Sequence, residues 1–363
     1  MRTSKDLLLI HKTQFGYHNN AYKHCLYLKD RYNITFICFD SGKKKIKLDG
    51  IKVHYIPQFP QHQGIIFTLW RTLSFMLYTI LYLLFFKGII FIYYFKGAIW
   101  YKRIFKKKRM ILDIRTLSVK NDISYNQKED LILRKTALLY DHVTFLSEGM
   151  RKKIEFPLTQ SSILPLGADI ISDKKKDFES LKLLYVGTLT NRNIDITLNG
   201  IKKFINKYPS ARITYDIVGD GNTPIDLEKL IVLAEKLKLN SIITFHGRIP
   251  NTELKLFFEN CNIGVSFVPK TDYFEYQPVT KTFEYIMSGL FTIGTSTYEN
   301  KKIINSTNGV LIEDNQDSFC EALEYIYKNK ENIRLLNISS SVIDYQWEKI
   351  VNNILLPVLN NNQ

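Results

Sequence analysis

Cysteine is scarce in this chain: Cys25, Cys38, Cys261 and Cys320 are scattered with no C-x-x-C spacing. That argues against a disulfide scaffold or a zinc knuckle and is most simply accounted for by a reducing compartment. The amino-terminal apolar run, MRTSKDLLLIHK, is too short for a signal peptide and is charged on both sides, so it reads as a first strand in a cytoplasmic protein. Charge is unevenly missing. Residues 1–170 hold 28 basic and 12 acidic side chains, a balance of +16, whereas the remainder holds 22 and 23, a balance of −1. A basic half beside apolar surface points to anionic lipid or nucleic acid. No aromatic platform of an RNA-binding module accompanies the basic residues, which disfavours nucleic acid as a partner.

What is present is length and alternation. At 363 residues the chain exceeds one ordinary core and fits two domains. Apolar strands and amphipathic helices alternate twice, first over 1–170 and again over 182–335, with the charged run ISDKKKDFESL (171–181) as the linker and 336–363 as a helical segment returning to the first domain. Repeated strand–helix units predict two α/β, Rossmann-like, doubly wound parallel sheets facing across a cleft. In the first domain, Gly16 lies in the loop after the first strand, where it permits close backbone approach to a ligand. Asp113 and Arg115 stand at a strand's C-terminal end, where open parallel sheets bind ligands. His18 is a further candidate by position.

Residues 65–86, IIFTLWRTLSFMLYTILYLLFF, carry one charge, Arg71. On a helix Thr68, Arg71, Thr72, Phe75, Tyr78, Thr79 and Tyr82 share one arc and nearly everything else is apolar. A helix that merely covers a sheet needs an apolar stripe, not an apolar surround. The stretch is long enough to cross a bilayer, and it could also be wholly buried. The favoured reading has one side on the sheet and the other in a membrane interface, supported by the cationic cluster Lys102, Arg103, Lys106, Lys107, Lys108 and Arg109 interleaved with Trp100, Tyr101 and Phe105.

The second domain centres on residues 262–296: an apolar strand (Ile263 to Val268), a polar loop, a helix from Thr280 to Ser288, the stop Gly289 and a further strand. Phe283, Ile286, Met287 and Leu290 share one face. This leaves Lys281 and Glu284 one turn apart near the helix N-terminus, where unpaired N–H groups and an ammonium suit a phosphate and a carboxylate suits ribose hydroxyls. A solvated i,i+3 ion pair accounts for the same two residues about equally well. Other strand ends contribute Gly187, Thr188 and Arg192; Gly219, Asp220 and Gly221; and His246 and Gly247. Together these equip one rim for a nucleoside diphosphate.

The run LLYVGTLTNRNID, YDIVGDG, ITFHGRIPNTELKLFFENCNIGVSFVP and PVTKTFEYIMSGLFTIGTS, preceded by LPLGAD and followed by DYQWEKIV, resembles glycosyltransferase family 4, of the GT-B fold. The resemblance is strong from 161 to 313 and diffuse before that. It implies transfer of a sugar from a nucleotide-sugar donor with retention, with no metal and no cofactor. It also implies a lipid-linked saccharide acceptor, as in members that build bacterial surface polysaccharide at the inner face of the cell membrane. Within that resemblance Arg192 and Lys281 hold the diphosphate, Glu284 and Thr280 lie on the donor, and the base lies near His246 or Gly219. The family's first glutamate falls at Tyr276, with Glu275 one place off, and its basic residue after the first glycine is Thr188. Asp113 as a catalytic group, and His18 and Arg115 on the acceptor, are candidates by position. An epimerase of the same architecture and a non-catalytic membrane-bound or nucleic-acid-binding protein remain open at this stage.

Overall fold

A computed structural model describes residues 5–58, 64–118 and 123–361. The chain divides into two compact units, Met1–Leu166 with Trp347–Gln363, and Gly167–Gln346. The crossings thus fall at 166/167 and 346/347, rather than within 171–181 and near 336. Polar loop composition over 171–181 mimics a linker, but its residues are held: the Ile171 N–H donates to Ser288 Oγ, and Lys176 is buried with its ammonium on the Phe258 carbonyl.

In the N-terminal unit seven strands run β1 (Lys5–Ile10), β2 (Tyr32–Asp40), β3 (Ile51–Pro57), β4 (Ile89–Tyr93), β5 (Met110–Ile114), β6 (His142–Phe145) and β7 (Ser161–Ile163). They form one sheet in the order β3-β2-β1-β4-β5-β6-β7, parallel throughout. The central strands β4 and β5 are buried along their whole length, as expected of parallel strands covered on both faces. Helices α1 (Asn19–Leu28), α2 (Ile65–Phe85), α3 (Ile99–Ile104), α4 (Ile123–Ala137) and α5 (Glu148–Lys153) connect them. The first turns of helix α4, ISYNQKED, are polar and carry no apolar stripe to announce them in the sequence.

The C-terminal unit contains β8 (Leu181–Val186), α6 (Asp195–Lys207), β9 (Ile213–Val218), α7 (Pro224–Lys236), β10 (Ile243–Gly247), α8 (Lys255–Asn260), β11 (Ile263–Ser266), α9 (Asp272–Glu275), α10 (Thr280–Met287), β12 (Phe291–Thr295), α11 (Asn300–Ile303), β13 (Gly309–Ile312) and α12 (Gln316–Arg334). Its six strands are parallel in the order β10-β9-β8-β11-β12-β13. Both units are therefore doubly wound α/β domains. The closing segment from Trp347 packs in the N-terminal unit, where Trp347 meets His24 edge-on at 6.0 Å and Asn360 accepts from the Tyr32 hydroxyl.

Helix α2 inverts the usual amphipathic arrangement. Phe75, Thr79 and Leu83 are fully buried, and the Lys12 ammonium reaches Thr72, so the middle of the arc that carries the polar residues faces the protein, with Thr68 and Tyr78 exposed at its margins. Ile66, Leu69, Trp70, Leu73, Leu77, Leu81, Leu84 and Phe85 are exposed along the opposite side. Only 22% of its most apolar window is buried, far from the enclosure of a core helix.

The basic cluster after it is only partly a surface. Lys102 is buried, with its ammonium on Asp141 at 2.6 Å and on the Lys106 and Lys108 carbonyls. Arg109 donates to the Val358 and Asn361 carbonyls, and Lys108 to that of Phe86. Arg103, Lys106 and Lys107 stay exposed, with the Arg103 guanidinium 5.2 Å over the half-exposed Trp100 ring.

Candidate functional site: a pocket at the strand ends of the C-terminal unit

The loops that follow β8, β9 and β10 are bonded to one another before any ligand is considered. The Gly187 N–H donates to the Val218 carbonyl, Gly219 to Gly247 and Leu189 to Asp220. Gly219 has φ +144°, and a Cβ there would stand 1.8 Å from the Gly187 oxygen, so only glycine lets these two loops touch. Asp226 completes the weave, accepting from Thr190 Oγ1 and from the Thr223 N–H and hydroxyl in the capping box of α7. Between the glycine and α6, Asn191 and Asn193 both adopt positive φ, a backbone that asparagine tolerates better than most residues. They flank Arg192, whose guanidinium lies 4.3 Å over the Phe274 ring.

Helix α10 forms the other wall and is pinned from three sides. Phe283, Ile286 and Met287 pack inward as the spacing requires, and Leu290 is buried just beyond them. On a second face Thr282 is buried, 2.6 Å from Ser266 Oγ and 3.2 Å from Asn300 Oδ1; Asn300 in turn donates to the Thr295 carbonyl. The third tie is Tyr285, fully buried, whose hydroxyl accepts from the Val186 N–H at the end of β8 at 2.7 Å. Gly264 in β11 makes room for its ring: a Cβ would stand 2.4 Å from Tyr285 Cγ. A glycine inside an apolar strand is the sequence signal for this close approach. Because Val279 caps α10 without a side-chain acceptor, the N–H groups of Thr280 and Lys281 keep their capacity to bind an anion, while that of Thr282 donates to the Val279 carbonyl.

These walls enclose a pocket of about 280 Å³ lined by Tyr185, Gly187, Thr188, Arg192, Tyr273, Phe274, Gln277, Thr280 and Lys281, among others. Of the residues expected on a donor, Gly187, Thr188, Arg192, Thr280 and Lys281 line it. Glu284 lies one turn below, its carboxylate 2.5 Å from the Lys281 ammonium, with the two side chains 12% and 22% exposed. The pair is half-buried rather than solvated, which makes it more than a surface ion pair.

The remaining candidates do other work. Gly219 shapes the loop contact, Gly221 makes room for Asp226, and Asp220 is exposed with its carbonyl on Leu189. His246 bonds Asp216 at 2.7 Å and stacks edge-on against Phe257, while Gly247 has φ +61° with open space beside it. Glu275 does not line the pocket; its carboxylate accepts from the Tyr298 N–H at 2.7 Å and so ties the loop before α10 to the turn before α11. Tyr273, Phe274 and Gln277 line the pocket instead, on the short helix α9 and just beyond it, in a stretch whose sequence reads as plain loop. Among the described residues no group of three or more His, Cys, Asp or Glu side chains is arranged to hold a metal ion.

In the N-terminal unit, Asp113 is fully buried with both oxygens engaged, one by Arg115 Nε at 2.6 Å and the other by Thr144 Oγ1 at 2.7 Å. A carboxylate enclosed in this way cannot touch substrate, so the expectation of a catalytic Asp113 is corrected: it positions Arg115, which also donates to the Leu164 carbonyl. Gly16 has φ +88°, and the space its missing Cβ leaves is filled by Ile46, not held open for a ligand. His18 caps α1 through Nδ1 and stands 4.2 Å from the His11 ring, and both approach Tyr93. His24, fully buried, is 2.7 Å from the Tyr93 hydroxyl and 3.4 Å from Arg115 Nη2. Burial, and then the neighbouring His18, push His11 down from 6.5 to about 3; burial, and then Arg115, push His18 down to about 4.

Residues 180–329 match the family model described as Glycosyl transferases group 1. No curated protein matches the chain significantly by sequence. Among solved structures, sucrose-phosphate synthase from Thermosynechococcus elongatus superposes with a TM-score of 0.77 at 14% identity, covering 98% of both chains. Anabaena HepE in complex with UDP and glucose gives 0.74 at 11% identity, covering 98% of this chain and all of that one. A lipopolysaccharide outer core galactosyltransferase, WaaB, gives 0.69 at 14% identity over 97% and 99% of the two chains. At such identities the likeness carries the architecture: the chain has the GT-B fold.

Two expectations follow. Gly219→Ala should cost at least about 3 kcal/mol in urea unfolding, at the top of the ordinary single-substitution range, whereas Gly247→Ala, with open space at its Cβ, should cost only about 1 kcal/mol. The histidines set the acid limb of stability. Their folded pKa values lie below the unfolded one, so the unfolded chain binds protons that the native chain refuses, and stability falls as pH drops from about 6.5 towards 4. A melting temperature flat above pH 7 and declining below 6.5, with a shallower decline in His11→Gln, is the expected profile; identical slopes would contradict it.

Proposed function

We propose that the protein is a glycosyltransferase. It moves a sugar from a nucleoside-diphosphate sugar to a lipid-linked saccharide at the inner face of the cell membrane, with retention of anomeric configuration and without a metal. One observation carries the reading: Arg192, Lys281 and the uncapped start of α10 converge on a single pocket at the C-terminal ends of β8 and β11. That is a set of cationic and amide donors on which a diphosphate fits.

The chemistry follows from where charge develops. As the bond from the anomeric carbon to the phosphate oxygen breaks, negative charge gathers on the departing nucleoside diphosphate. Arg192 is held against Phe274 and Lys281 is held by Glu284, so both are oriented before the reaction and cost little reorganisation while stabilising that charge. A leaving group so stabilised needs no general acid. Glu284, beside Lys281, is the acceptor for the ribose hydroxyls. Retention is supported by the motif resemblance, and UDP, present in the HepE complex, is the first nucleotide to test.

The acceptor side is supported by α2. Its exposed row from Ile66 to Phe85 is a continuous apolar face, larger than the scattered apolar residues of an ordinary surface. The exposed Arg103, Lys106 and Lys107 supply the charge complementary to an anionic leaflet. A helix lying in the interface with its apolar side down places the enzyme where a lipid-linked acceptor lives.

Lys281→Ala should lower kcat by about 10²-fold or more in single turnover, on the scale of losing one preorganised donor; a change of only a few-fold would contradict the phosphate assignment. Anomer analysis of the product by NMR and activity in excess chelator test retention and metal independence. For the membrane, the double variant Trp70→Glu with Leu77→Glu should abolish flotation on phosphatidylserine-containing vesicles while leaving the UDP-induced thermal shift intact. Each exposed large apolar side chain contributes about 1.5–3 kcal/mol when fully buried.

A further inference from the structure

Two histidines stand together at the C-terminal edge of the N-terminal sheet. His11 directly follows β1 and His18 is the N-cap of α1, with ring centroids 4.2 Å apart. Strands β1 and β4 pair in register, which brings His11 beside Tyr93, the last residue of β4. The Tyr93 ring lies 4.9 Å from that of His11 and 5.7 Å from that of His18. Strand order runs outward from this pair of strands, through β2 on one side and β5 on the other. The edge above β1 and β4 is therefore the point where the winding reverses, which is where open parallel sheets take their ligands.

Backbone groups settle which nitrogen of each ring holds the proton. The Thr13 N–H donates to His11 Nδ1 at 2.8 Å, and the Ala21 N–H donates to His18 Nδ1 at 3.3 Å. A neutral ring that accepts through Nδ1 carries its hydrogen on Nε2, so each ring presents a donor there and no lone pair for a metal. Both rings are partly exposed, and neither Nε2 has a hydrogen-bond partner among the described residues. The third ring is anchored from below, with the Tyr93 hydroxyl 2.7 Å from Nδ1 of the buried His24.

The surroundings select the ligand. Two imidazolium charges on rings 4.2 Å apart would repel, and the Arg115 guanidinium, 3.4 Å from His24 Nε2, adds a third cation behind them. Burial works in the same direction, holding His11 at about 3 and His18 at about 4. A pair kept neutral in this way does not suit an anion. Two uncharged N–H donors beside an aromatic ring suit a neutral polyol, whose hydroxyl oxygens accept while the apolar face of its ring lies against tyrosine.

We propose that His11 and His18 form a neutral two-donor site for saccharide hydroxyl groups at the switch point of the N-terminal sheet, and that the sugar it takes is that of the acceptor. The assignment to an acceptor rests on the transferase reading above; the saccharide site itself stands on the N-terminal unit alone.

Histidine-selective nitrogen NMR tests it, since the chain holds seven histidines and each can be assigned by substitution. At neutral pH His11 and His18 should both give the signature of an uncharged ring protonated on Nε2. Methyl glycosides of glucose, galactose, mannose and N-acetylglucosamine are then titrated. At least one should move the Nε2 signals of both residues and leave those of His142 and His246 in place. His11→Phe, which keeps the ring contact with Tyr93, and His18→Asn, which can still cap α1, should each weaken that glycoside about fivefold, the scale of one neutral hydrogen bond. His11→Gln, which restores an N–H donor, should recover part of the loss. Wild-type affinity in both variants, a proton on Nδ1 of either ring, or inorganic phosphate converting the pair to imidazolium would overturn the site. So would the absence of any glycoside shift in a protein that still gives the UDP-induced thermal shift, and the reading of the C-terminal pocket would then stand. A protein that binds the glycoside and shows no UDP shift would keep the histidine site and remove its assignment to an acceptor.

Discussion

The fixing of α10 is the constraint on which the pocket depends. A helix of eight residues is not stable by itself, since its few hydrogen bonds do not offset the conformational entropy lost in forming the first turn. Here it is held by an apolar face, by the buried hydroxyl chain from Ser266 through Thr282 to Asn300, and by Tyr285 on the Val186 amide. Each such bond nets only about 1 kcal/mol, but leaving any of these buried donors unmet costs more than that, so the alternative positions of the helix are penalised together. The Lys281 ammonium and the first-turn amides inherit their placement from these buried ties rather than from the helix's own hydrogen bonds.

The opposite wall obeys a similar economy by different means. The β8 and β9 loops touch backbone to backbone because Gly219 has no Cβ, and the resulting weave aims Arg192 through two asparagines at positive φ. Among the described residues neither asparagine side chain makes a hydrogen bond that would account for it, whereas the arginine between them reaches the pocket and lies on Phe274. Backbone strain beside a functional side chain is where a fold spends stability on geometry.

Much of this was legible before any coordinates. The strand–helix alternation gave both doubly wound sheets, because parallel strands buried on both faces write continuous apolar runs into the sequence. The start of α10, with Lys281, and the loop of Gly187, Thr188 and Arg192 were readable from residue type and strand-end position. What failed to show was whatever depends on contacts far apart in sequence. Nothing local says that Asp113 is enclosed by Arg115 and Thr144, that Ile46 fills the space beside Gly16, or that Glu275 holds the Tyr298 amide. The segment 171–181 reads as a linker by composition and is tethered by Ser288 and Phe258. Half the basic cluster of 102–109 proves to be internal wiring for the same reason: a buried Lys102 paired with Asp141 has the same sequence as an exposed one.

Helix α2 shows what a hydrophobic pattern does and does not fix. Its composition permits three positions, in a core, across a bilayer or at an interface, and only burial distinguishes among them. A core helix hides its apolar atoms; this one hides Phe75, Thr79 and Leu83 and shows Leu69, Trp70, Leu73, Leu77 and Leu81. Keeping such a row in water forgoes about 25 cal/mol for every Å² that burial would remove from solvent. That unmet stabilisation is the physical argument that something apolar covers it. The polar arc makes the case from the other side: Thr79 is buried with its hydroxyl on the Phe75 carbonyl and Thr72 accepts from the Lys12 ammonium, so the inner side of the helix is partly polar while its outer side is apolar. The same 21 residues carry an exposed apolar row on one face and, through Thr72 and Lys12, meet the edge of the sheet on the other.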